Sequence, residues 1–75
     1  MTKYTLIRAL PNGTEKSSGP FKTVRAAVVA AGQCLFDNGA ASKAEAQQFS
    51  ARMNTTLGVT TRHSSGYAFR LESTK

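Results

Sequence analysis

The chain has 75 residues, with ten Lys and Arg against four Asp and Glu, one cysteine, a formal charge of +6 and a pI near 10.1. That length bounds it to one domain over residues 1–75, and so short a chain buries only about 60% of its unfolded surface. A lone cysteine excludes an intrachain disulfide framework, and the basic balance favours acidic partners, of which nucleic acid is the commonest.

The opening "MTKYTLIRALPNG" holds no apolar core of signal-peptide length. "AAVVAAGQCLF" is the longest apolar tract, and it falls short of the roughly 20 residues needed to span a bilayer. A soluble, cytoplasmic protein without membrane contact is expected.

"KYTLIRAL" is rich in β-formers and runs into "PNG", a combination that suits a three-residue hairpin loop. The return segment "TEKSS" carries no apolar side chain and reads as a short polar edge strand, with Lys16 and Pro20 discouraging further pairing. Looping at Pro11–Gly13 sets Arg8 opposite Lys16, a like-charge pair tolerable only on a wet face or beside an anion.

From about Phe21 to Asn38 the period becomes helical. Val24, Val28, Ala31 and Leu35 form the stripe, and Val29 and Phe36 widen it, so that the helix should be nearly central in the fold or else half of an interface. Gly32 inside this helix implies close approach of another backbone, and Asn38 or Gly39 supplies the stop. Ser42-Lys43-Ala44-Glu45 is a capping box that opens a second helix, with Ala46, Phe49 and Met53 on one face. The short connection implies an antiparallel pair.

"GVTTRH", "SSG" and "YAFRLE" make a second hairpin in which His63 pairs with Tyr67, Thr61 with Phe69 and Val59 with Leu71. Its Gly66-Tyr67-Ala68-Phe69 stretch resembles the base-stacking strand of RNA-recognition motifs. Ser65, Arg70 and Glu72 depart from that pattern. If Tyr67 and Phe69 faced RNA, alternation would drive the Arg70 guanidinium into the core. The opposite orientation, with Tyr67, Phe69 and Leu71 inside and Arg70 in water, is expected. The architecture follows as α+β in the order ββααββ: a small antiparallel sheet from two β-hairpins, with an αα-hairpin packed on one face.

Two surfaces are candidates for function. The outer sheet face would gather Arg8, Lys16, Arg62 and Arg70 for nucleic-acid phosphates, unless Glu15 and Glu72 neutralise them. The second helix would offer Lys43, Gln47 and Arg52 as an alternative nucleic-acid surface, if the helix pair worked as a helix-turn-helix. Cys34 is expected as a small buried hydrophobe. His63 has no second His or Cys at ligand spacing, so no metal or cofactor is expected. No nucleophile–base pair or paired acids stand out, which argues against an enzyme. The leading expectation is a small non-enzymatic binding protein contacting nucleic acid through the sheet face. The alternative is a protein-interaction module, a small regulator or inhibitor, that uses Val29 and Phe36 to dock on an acidic partner protein or to form a homodimer.

Overall fold

The computed structural model of the chain describes residues 3–74; Met1, Thr2 and Lys75 lie outside the described residues. The elements run β1 (Lys3–Ala9), β2 (Glu15–Phe21), α1 (Val24–Asp37), α2 (Lys43–Arg52), β3 (Thr60–Arg62) and β4 (Ala68–Thr74). This is the expected ββααββ order. The four strands form one antiparallel sheet, β2-β1-β4-β3, so the first and last long strands are central neighbours.

The first hairpin turns as its sequence dictates. Leu10 N–H donates to the Thr14 carbonyl at 2.8 Å, Gly13 takes φ +90°, and Arg8 pairs with Lys16. β2 nevertheless continues past Pro20 to Phe21, where the first helix was expected to begin. A register irregularity between Tyr4 and Leu6 accommodates Gly19 and Pro20, which a regular ladder would exclude. Phe21 then packs against the core as a strand residue, and α1 starts three residues later with Thr23 as its cap.

α1 buries Ala27, Val28, Ala31, Gly32 and Leu35 and lies against β1, β2 and β4. Gly39 at φ +71° ends it, and the Asn38 side-chain amide caps the Cys34 carbonyl at 2.8 Å. Ser42 Oγ accepts from Glu45 N–H at 3.2 Å to open α2. Only this half of the expected capping box forms, because the Glu45 carboxylate turns instead to His63, 3.4 Å away.

The two helices run antiparallel and nearly touch. Ser50 Oγ donates to the Val28 carbonyl at 2.8 Å. A Cβ on Gly32 would run into Ser50 Oγ and lie 2.7 Å from the Ala46 carbonyl oxygen. Glycine is thus required by close approach, as its place in the helix implies.

The core between sheet and helices comprises Leu6, Ala27, Val28, Ala31, Leu35, Met53, Phe69 and Leu71. Phe69 and Leu71 are fully buried, and Tyr67 packs beside them with its ring stacked 6.4 Å from that of Phe69. The aromatic residues of "YAFRLE" therefore serve the core. Val59 departs from the expected pairing with Leu71. β3 begins only at Thr60, where Gly58 N–H already caps the Leu71 carbonyl, and Val59 stays 39% exposed rather than lying inward opposite Leu71.

Candidate functional site

Strand register decides where the cations of the sheet fall. Directly paired residues share a face. Leu6 pairs with Leu71 and Arg8 with Phe69, so Arg8 belongs to the helix-covered side, and Lys16, opposite Arg8, shares that side. Arg70 pairs with Ile7 and Thr60 while Arg62 pairs with Ala68, which sets both arginines on the open side. The expected cluster of Arg8, Lys16, Arg62 and Arg70 is divided between two faces.

On the open side, Arg70 stands between two carboxylates, Glu15 Oε2 at 3.7 Å and Glu72 Oε2 at 3.6 Å. Both acids lie where the sequence suggested they would neutralise the patch. Each such surface pair contributes about 0–1 kcal/mol to stability, and together they offset the charge that Arg70 would present to a phosphate, though not that of Lys3 and Arg62 on the same face.

Arg8 reaches under α1, where its Nη1 donates to Cys34 Sγ at 3.0 Å. Its Nε is buried without a hydrogen-bond partner. Cys34 is half-buried rather than sealed in the core, because it lines the smaller open cavity beside α1 together with Arg8 and Asn38, whose side-chain amide lies 3.5 Å from Sγ.

The helical layer holds a different kind of site. Val29 is 54% exposed and Phe36 46%, on the stripe that the sequence marked as wider than one buried face. Arg25, Val29, Gly32 and Phe36 follow one helical row of α1, and Lys43, Ala46 and Ser50 follow the facing row of α2. Between them opens a groove of about 640 Å³ with no sheet residue in its lining, so it faces away from the sheet. Its floor is built of small side chains. Arg25 lies toward one end on α1, Lys43 toward the other on α2, and Gln33 and Gln47 stand along the sides. No carboxylate lines it. Of the expected helix surface, Lys43 and Gln47 join this groove, while Arg52 lies exposed at the last position of α2.

The sequence did not bring Ser65, His63 and Glu45 together. His63 Nδ1 lies 2.7 Å from Ser65 Oγ and also accepts from Ser65 N–H at 3.1 Å. Nε2 faces Glu45, and the ring packs edge-on against Phe49 at 5.4 Å. Nδ1 accepts from the Ser65 amide, which leaves the proton on Nε2 toward Glu45. Serine and histidine sit two residues apart in one turn, and neither the groove nor the smaller cavity under α1 reaches them. The cluster ties the second hairpin to α2.

Among the described residues, no group of three or more His, Cys, Asp or Glu gathers to hold a metal ion, and no helix is long and apolar enough to cross a membrane. No family model, curated protein or solved structure matches the chain.

Proposed function

We propose that this is a small non-enzymatic protein-interaction module that docks on an acidic partner protein through its helical layer, acting as a regulator or inhibitor of that partner. The observation that carries the reading is the exposure of Val29 and Phe36 along a groove flanked only by cationic and neutral polar side chains. Large apolar side chains beside unpaired cations suit a partner that brings both apolar and acidic groups. Phosphate contact through the sheet face is the weaker reading, since Arg8 and Lys16 leave that face and Arg70 is neutralised. A cytoplasmic setting accords with a single unpaired thiol.

Copurification from the native host tests the two readings. The wild-type protein should retain an acidic protein, and the Val29→Asn, Phe36→Asn double variant should lose it while melting at nearly the wild-type temperature. Retention that nuclease abolishes, and that falls with Arg62→Gln and Arg52→Gln rather than with the groove variant, would return the function to nucleic acid. A double variant that fails to fold would assign both residues to the core and remove them as anchors.

A further inference from the structure

Resting on the reading that the helical layer docks an acidic protein, we infer that the occupant of the α1–α2 groove is a single amphipathic helix. It carries carboxylates toward both ends and completes a layer of three helices.

Four observations converge on that occupant. The row Arg25, Val29, Gly32, Phe36 extends over eleven residue steps of α1, a length of about 16 Å or three helical turns at 1.5 Å per residue. A trough that long and straight, between antiparallel helices, matches a rod more than a loop. Its floor lies low because α1 and α2 meet there through the small residues Gly32, Ala46 and Ser50, and Val29 and Phe36 stand ready to interlock with apolar side chains.

Backbone chemistry points the same way. An extended peptide needs free N–H and C=O groups on its host, and helical walls have spent theirs internally. Here the Val28 carbonyl is taken a second time by Ser50, and the Gln33 amide is held by Asp37 Oδ1 at 2.7 Å. A helix brings its own backbone hydrogen bonds already made.

Charge selects among helices. Arg25 and Lys43 lie toward opposite ends with no carboxylate in the lining, so they favour an occupant with acids roughly three turns apart. A second copy of this chain seated groove to groove would set cation against cation in either direction. A phosphate backbone would lie against Val29 and Phe36.

The probe is a lactam-stapled helical peptide of about 18 residues, long enough to cover the groove with a turn to spare at each end. It carries leucines at i, i+4, i+7 and i+11 and glutamates toward both ends. Two controls accompany it, one of the same composition in scrambled order and one with lysine for glutamate. Amide shifts of the ¹⁵N-labelled protein are followed in each titration. The helical acidic peptide should shift Val29, Gly32, Phe36, Ala46 and Ser50, and the double variant Val29→Asn, Phe36→Asn should weaken it by at least about tenfold, as expected for losing two apolar anchors. The lysine version should not bind.

If the scrambled acidic peptide shifts the same residues equally, the helical occupant is overturned and an acidic partner of another shape stands. If the helical peptide shifts nothing, the inference also falls. A duplex oligonucleotide that then perturbs Arg62 and Arg52 would remove the underlying reading with it.

Discussion

Gly32 holds the helix pair at its separation, because any side chain there meets Ser50 Oγ and the Ala46 carbonyl. Alanine is the better helix former by about 1 kcal/mol, yet overpacking costs about 1–3 kcal/mol. Gly32→Ala should therefore destabilise the protein, by up to about 2 kcal/mol in a urea titration. Removing the hydroxyl as well, with Ser50→Ala, should recover only part of that loss, since the backbone oxygen of Ala46 stays in place. Full recovery would mean that the hydroxyl alone sets the approach. Arg8 shows the other side of a tight interior. Its guanidinium is accommodated with a thiol as its one side-chain acceptor and with Nε left unpartnered, which identifies this corner as a place of little net electrostatic gain.

Between elements, the caps carry the message most directly. Ser42 satisfies the Glu45 amide at the start of α2, and Ser42→Ala should lower stability by about 1 kcal/mol. Glu45→Gln should have a smaller effect on that helix end, because its carboxylate serves His63 instead. Thermal melts of the two variants separate the roles; equal losses would restore the reciprocal box. Local chemistry of this kind was legible in the residues: both Gly turns, the helix stop at Gly39, the Ser42 cap and the inward face of "YAFRLE" follow from neighbours a few positions away. The division of the sheet's cations was harder. In β1, Leu6 and Arg8 share one parity, whereas Thr5 and Ile7 share the other, and both sets contain a large apolar residue. Which set goes inside depends on pairing Leu6 with Leu71, a contact made across nearly the whole chain. Parity alone tied the fate of Arg8 to that of Leu6; the choice between Leu6 and Ile7 was tertiary. Val29 and Phe36 were visible as surplus apolar surface, but their grouping with Arg25 and Lys43 required the second helix to be in position.

At the scale of the whole molecule, charge and apolar surface are distributed unequally. The open sheet face mixes Arg62 and Arg70 with Glu15 and Glu72, while the groove between the helices has cations and no acid in its lining. Association through that groove should have a salt-sensitive and a salt-insensitive part, because the cations at its ends are screened and buried Val29 and Phe36 are not. Raising the salt from about 0.05 to 0.5 M, which shortens the screening length severalfold, should weaken binding of the acidic helical peptide only modestly. Contacts with six or more phosphates would lose affinity by about a thousandfold or more over a narrower range. A slope of that steepness would argue for a polyanion.

β3 spans three residues, and β2, at the opposite border, carries Glu15, Lys16, Gly19 and Pro20. Neither margin gives an incoming strand a regular row of donors and acceptors to copy. Copies of this protein crowded together thus lack a template for stacking sheet upon sheet edge, even though Leu57 and Val59 stand exposed in the loop just before β3.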